Sequence, residues 1–220
     1  MSEDNKNNRN DQPAEEQKPS DESQVKYREI STDELKQILK AHYKWIKSRG
    51  KEGTRADLRL SKLKTIKLEK AVLAYADLQQ SNLFRVNLQQ AILIRTNLKK
   101  SYLRQTNLRR ASLFKANLEG AEIVGSILSN SNLTESNLKN CKCRGSDFER
   151  AILVKANLEG ADLLSTLFEE TVLRGANLKG AKNLTIEQLQ GAKTLYQAKL
   201  DPELMEKVKK SCPFLLRESI

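Results

Sequence analysis

The chain has 220 residues, a formal charge of +11, 38% hydrophobic and only 5% aromatic residues, with 3 Cys, 1 His and 9 Gly. That length suits one or two domains, yet so few aromatics cannot fill an ordinary core of that size, so an economical packing unit has to replace it. Of His42, Cys141, Cys143 and Cys212 only the two central cysteines are close in sequence, which argues against a structural metal and against a disulfide framework. No run approaches the ~18 apolar residues that span a bilayer, and the polar first residues lack the apolar stretch of a signal peptide. Sparse cysteines fit a reducing compartment, so a soluble, cytoplasmic protein without membrane contact or cofactor is expected.

Residues 1–29 are almost entirely Asp, Glu, Asn, Gln, Lys, Pro and Ser and read as a disordered polar tail, since they cannot bury enough surface to offset ordering entropy. The tail holds eight acids and five bases, leaving 34 bases against 20 acids, a charge of +14, for the remainder. Ser31 and Glu34 then form an S-x-x-E capping box, and Leu35, Ile38, Leu39, His42 and Ile46 recur at helical spacing before Gly50. A capping helix within residues 30–52 is predicted, with His42 a packed helix residue that has no catalytic partner nearby in sequence.

From Ala56 a period of five takes over. Every fifth position from Leu58 to Leu178 gives 25 residues without a slip, 21 of them Leu and the others Ile123, Cys143, Phe148 and Phe168. Two residues before each stands a small or β-branched side chain, from Ala56 and Ser61 to Ala176. Such a period scatters around a helix and flips faces along a strand, so the chain has to turn a corner within each small-x-Leu-x-x unit. Every Leu can then point into one interior, and stacked coils bury a continuous core.

Longer periods set the size of the coil. Asp or Asn precedes the central residue at 10 of 13 positions in the ten-spaced set from Asp57, but at 3 of 12 in the set from Lys62. Val72, Ile92, Ile152 and Val172 stand at multiples of twenty, and FKANLEGAEIV at 114–124 returns as VKANLEGADLL at 154–164. Four units per coil fit best.

The tandem Ala76-Asp77-Leu78, Ala116-Asn117-Leu118 and Ala156-Asn157-Leu158 units resemble the pentapeptide repeat family, over roughly residues 53–182. The resemblance implies an all-β solenoid, a right-handed quadrilateral β-helix with one unit per side and a little over six coils. The K-E-G-x-R-A-D-L segment from Lys51 to Leu58, the helix before it and the A-K-N-L-T-x-E-Q-L segment at 181–189 are similar to cyanobacterial members. Thr185 with Gln188, and Asp201 with Pro202, are expected to begin two short helices in a helical cap over 183–220, because both ends of a coil stack expose unpaired backbone. Some members of the family resemble B-form DNA in shape and charge and act on DNA gyrase through a strongly acidic surface, a pattern from which this basic chain departs.

The inventory offers no nucleophile, base and orienting acid that assemble into a hydrolase, and Cys141 and Cys143 occupy inward places. A non-catalytic interaction scaffold is therefore expected. Two outward features are candidates for its contacts. On the side built from units centred on residues 73, 93, 113, 133, 153 and 173, the outward places include Val72, Ile92, Ile94, Phe114, Ile152, Val154 and Val172, an apolar strip suited to a protein partner or a homodimer unless the terminal segments cover it. Between Leu78 and Leu118 there is no acid and there are eight bases, Arg85, Arg95, Lys99, Lys100, Arg104, Arg109, Arg110 and Lys115. They fall on all four sides as a girdle that could hold an acidic protein or nucleic acid, with Phe84, Tyr102 and Phe114 as stacking candidates.

Overall fold

The computed structural model describes residues 25–218. The polar tail expected over 1–29 lies outside the described residues up to position 24, and its last residues depart from the expectation: β1 (Arg28–Glu29) pairs in parallel with β2 (Ser61–Lys62) on the first coil. Lys62 pairs with Glu29 across this junction at 2.6 Å, so the chain leaving the tail covers part of the coil edge that would otherwise stand open.

Helix α1 (Thr32–Lys47) starts where Ser31 accepts a hydrogen bond from the Glu34 N–H at 3.1 Å. Its apolar face sets Leu35 into the core and buries His42 completely. Trp45 stacks on His42 with centroids 5.8 Å apart and meets the Tyr75 ring edge-on at 6.2 Å. Gly53 closes the link to the solenoid at φ +73°, and a Cβ there would collide with the Ala41 carbonyl oxygen and sit 2.9 Å from the Trp45 backbone nitrogen, so only glycine lets the chain pass that close to α1.

His42 is a structural residue. Its Nδ1 accepts from the Ala56 N–H at 3.1 Å, which orders the first residue of the repeat, while its buried Nε2 makes no hydrogen bond among the described residues. Burial holds the imidazole below its ordinary value of 6.5, with Arg55 adding to the shift and the Ala74 backbone opposing it. The folded chain thus binds this proton less readily than the unfolded chain. The contribution of α1 docking is fully present above pH 6.5 and falls as the pH drops below that value toward the lowered folded pKa. Melting curves between pH 7.5 and pH 5 should show this loss, and His42→Gln should flatten it; an unchanged pH slope in the variant would remove the assignment.

The repeat folds as a right-handed quadrilateral β-helix in which four five-residue units make a coil. Asp57 pairs in parallel with Asp77, Asp77 with Asn97, and so on at intervals of twenty to Asn157 and Asn177. At ~4.8 Å per strand step the stack is about 30–35 Å long. The ladder is regular: Leu58 N donates to Asp77 O at 2.7 Å, Leu60 N to Gln79 O at 3.0 Å, and Asp77 N donates back to Ala56 O at 3.0 Å. The four sides are named here by their first central residues, Leu58, Leu63, Leu68 and Leu73.

Each corner is a β-turn. Ala76 N donates to Leu73 O at 3.0 Å, and the residue between, Tyr75, has φ +64°. Positive φ at the third residue is what a type II turn demands, and it recurs at the last place of unit after unit. Glycine fills that place at 120, 125, 145, 160, 175 and 180. Thr65, at φ +63°, is the β-branched exception and is exposed. Thr65→Gly should therefore raise stability by about 1 kcal/mol in a denaturant titration, and a loss of similar size would contradict the turn assignment.

Inside, the 21 Leu and their four substitutes form the core, with the central residues from Leu58 to Leu178 at most 4% exposed. Hydroxyls at the small places bond inward: Thr96 Oγ1 donates to Leu73 O of the neighbouring coil at 2.7 Å and Ser81 Oγ to Leu78 O of its own turn at 2.7 Å, so these buried polar groups are satisfied. Cys141 occupies the same kind of slot and donates its thiol to Leu118 O, and burial pushes its thiol well above the ordinary range. Cys141, Cys143 and Cys212 are all buried free thiols.

The C-terminal end is only partly helical. Helix α2 (Ile186–Gln190) carries the expected Thr185–Gln188 capping box and interrupts the ladder, shifting its register so that Val172 pairs with Thr194 and Asn177 with Lys199. The Gln188 amide donates to Leu163 O and Thr166 O at 2.8 Å each, satisfying at Thr166 a carbonyl that the next coil would have taken. Residues 194–200 therefore extend the solenoid within the segment expected to be a helical cap. Helix α3 (Pro202–Ser211) and a short 3-10 turn (Pro213–Leu216) follow, with Val208 and Leu215 buried against the core. The Asp201 side chain makes no cap to α3; it accepts from the Gly180 N–H at 3.0 and 3.1 Å and ties the helix to a solenoid corner.

Candidate interaction surfaces

The Leu58 side is occupied largely by its own side chains, and the contrast picks out the surfaces left for others. On the Leu58 side the outward places form a ladder of Asp57, Asp77, Asn97, Asn117, Asn137, Asn157 and Asn177. Asn97 Nδ2 donates to Asp77 Oδ1 at 3.0 Å and Asn177 Nδ2 to Asn157 Oδ1 at 3.1 Å. Each ladder oxygen also accepts from the backbone two residues on, as when Lys99 N donates to Asn97 Oδ1 at 3.2 Å. Beside the ladder run ion pairs between successive coils, Lys99–Glu119 at 3.0 Å and Lys139–Glu159 at 2.7 Å. At its start the Arg59 guanidinium forks onto Asp57 and holds that carboxyl at about 2. Donors and acceptors on this side satisfy one another.

The Leu73 side differs. Its outward columns bring together every candidate apolar residue, but as two patches instead of one strip: Val72, Ile92, Ile94 and Phe114 lie toward the first coils, and Ile152, Val154 and Val172 toward the last. Ser112, Asn132 and Thr134 stand between them, because the register pairs Ile92 with Ser112, Ser112 with Asn132, and Asn132 with Ile152. Ile92 is 38% and Ile152 41% exposed, while Ile94, Phe114 and Val154 are half-buried. Among the described residues the terminal segments reach only the ends of this side. Trp45 of α1 meets Tyr75 at the first coil, and Glu218 pairs with Arg174 at 2.7 Å at the last.

The eight bases lie around the prism as expected, but their surroundings differ. Lys99 and Lys115 are paired, with Glu119 at 3.0 Å and Glu135 at 3.1 Å. Arg109 Nε donates to Ser129 Oγ at 3.2 Å on the Leu68 side, and Arg95, on the corner after the Leu73 side, lies over the Tyr75 ring at 5.9 Å. Lys100 and Arg110 are exposed at two further corners. Arg85 and Arg104 belong to the Leu63 side, where they lie over Phe84 and Tyr102. Phe114 is separated from these two rings on the opposite side.

Leu164 and Leu167, exposed at 44% and 58%, lie outside both candidate surfaces. They fall on two adjacent sides at one corner, and their signal was the apolar residue in an outward place of a polar side. Among the described residues no three His, Cys, Asp or Glu are placed to hold a metal ion, and no helix is long and apolar enough to cross a membrane.

A family model for pentapeptide repeats matches the chain in eight copies over residues 54–90, 91–130, 131–163 and 151–182. The chain belongs to the pentapeptide repeat family. Members are repeat scaffolds, and that coarse description holds for this one. No curated protein matches it. Among solved structures of the family, the chain is similar to HetL, a protein involved in heterocyst differentiation regulation in the cyanobacterium Nostoc sp. strain PCC 7120, with 26% identity over 65% of this chain and 73% of that one and a TM-score of 0.41. It is also similar to alr5209 of Nostoc PCC 7120, with 25% identity over 52% and 84% of the two chains and a TM-score of 0.29. A variant of QnrB1, a plasmid-mediated fluoroquinolone resistance protein, shares 16% identity over 70% and 90% with a TM-score of 0.38.

Proposed function

We propose that this pentapeptide repeat protein is a non-catalytic scaffold whose Leu73 side docks a protein partner. The observation that carries this reading is the set of outward apolar side chains, Ile92, Ile94, Phe114, Ile152 and Val154, left uncovered by the described terminal residues on one flat side while the Leu58 side satisfies its own polar groups. A β-helix fixes such side chains before the partner arrives, so little ordering entropy opposes association. The polar gap at Ser112, Asn132 and Thr134 fits an interface with two apolar anchors and hydrogen bonds between them.

Replacing Ile94 and Phe114 with Lys places two cations in the larger patch. The protein-partner or self-association signal of the wild type, read by light scattering on purified protein and by nuclease-treated capture at high salt, should fall at least tenfold in the variant. Circular dichroism should stay unchanged, because both residues face outward. Equal assembly and equal recovery by wild type and variant would overturn the reading.

A further inference from the structure

We propose that the Leu63 side of the first three coils is a platform for single-stranded nucleic acid. The units centred on Leu63, Leu83 and Leu103 stack directly, since Lys62 pairs with Asn82 and Asn82 with Tyr102. Their outward and corner places bring together Lys64, Phe84, Arg85, Tyr102 and Arg104. Phe84 and Tyr102, both half-buried, lie 6.1 Å apart and tilted by 34°. Lys64 Nζ lies over the Phe84 ring at 4.9 Å and Arg85 Cζ over the same ring at 4.8 Å, its Nε held by Gln105 Oε1 at 2.7 Å, while Arg104, with Cζ 5.7 Å from the Tyr102 centroid, donates from Nη1 to the Tyr102 hydroxyl at 3.2 Å. Rings and cations therefore alternate along the prism, giving stacking surfaces for bases beside charges for phosphates, and the Arg85 guanidinium on the Phe84 ring offers a further flat face to a base.

The borders of the platform match this occupant. Glu29 is engaged by Lys62 at one end, and Glu122 by Lys142 at the other, where the side changes character to Val124 and the Arg144–Asp162 pair. Within the three coils this side carries no acid and no aliphatic residue in an outward place, so it lacks the apolar anchors of the opposite Leu73 side. An acidic peptide would need the charges but not two aromatic rings held in outward places. A duplex would hide its base faces from those rings, whereas unpaired bases present them. The two surfaces lie on opposite sides of the prism, and the platform does not depend on the scaffold reading.

The test titrates full-length protein into a fluorescent oligothymidylate of about 15 nucleotides, a length that covers one small single-strand site, with a hairpin duplex and polyglutamate as comparison ligands. Wild type should bind the single strand more tightly than the duplex, with affinity falling as salt rises. Phe84→Leu with Tyr102→Leu keeps apolar cover but removes the rings, and should weaken binding roughly tenfold or more. Arg109→Glu with Arg110→Glu, on the neighbouring side, should change it far less, and Ile94→Lys with Phe114→Lys should leave it intact. No binding, equal binding of duplex, tighter binding of polyglutamate, or undiminished affinity in the ring-free variant with its circular dichroism retained would each overturn the proposal.

Discussion

Leu118→Asp should abolish folding. Leu118 is fully buried in the middle of the stack, with central leucines of the coils below and above it on the same side. A carboxylate there has no donor within the leucine core, and leaving an unpaired charge buried costs several kcal/mol. Total stabilities of about 5–15 kcal/mol leave little margin for such a loss. Because each coil touches only its neighbours, a failed coil in the middle also severs the two halves of the solenoid. Leu118→Ala, which leaves a cavity but no charge, should cost about 2–5 kcal/mol and remain folded. A soluble Leu118→Asp variant with the wild-type circular dichroism and melting temperature would contradict the leucine stack as the source of stability.

The second large effect is a compensation within one coil. Cys143 and Phe148 occupy consecutive central places, both fully buried, where the repeat otherwise sets Leu beside Leu. A smaller and a larger side chain in consecutive places keep the volume of the coil near that of two leucines, and Phe148 stacks on Phe168 of the next coil with centroids 5.8 Å apart. Cys143→Leu alone overfills this coil and should cost about 1–3 kcal/mol. Phe148→Leu alone leaves a void and should cost up to about 2 kcal/mol. Made together, the two substitutions restore the ordinary Leu rung, so the double variant should be more stable than the sum of the singles by about 1–3 kcal/mol. Additive losses in denaturant titrations would show that the two sites pack independently.

These effects are legible in the sequence because the inward residues are written once per unit. The period of five names the core, the period of twenty names the sides, and the fold follows with little left to chance. Interactions that occur once have no period to betray them. Nothing in the spacing shows that His42 accepts from Ala56, that Gln188 reaches the carbonyls of Leu163 and Thr166, or that Asp201 caps a solenoid corner instead of its own helix. The pairing of Arg28–Glu29 with Ser61–Lys62 is hidden in the same way, since two polar residues at the edge of a tail carry no strand signal.

The surfaces fall between these cases. The apolar side could be assembled on paper once the coil size was known, but the intervening Ser112, Asn132 and Thr134 make it two patches. Phe84 and Tyr102 stand at different places of their units, one after the central residue and one before it. Only the stacking of consecutive coils turns them, with Lys64, Arg85 and Arg104, into a single patch.

The scaffold reading is tested most directly by placing a photo-crosslinking amino acid, in separate variants, at Ile94 and Val154 on the Leu73 side and at Glu119 and Glu149 on two other sides. After irradiation in cells and nuclease treatment, discrete protein adducts should arise from positions 94 and 154 and be absent from 119 and 149. Adducts of equal yield from all four positions, or from positions 119 and 149 alone, would contradict an interface on the apolar side.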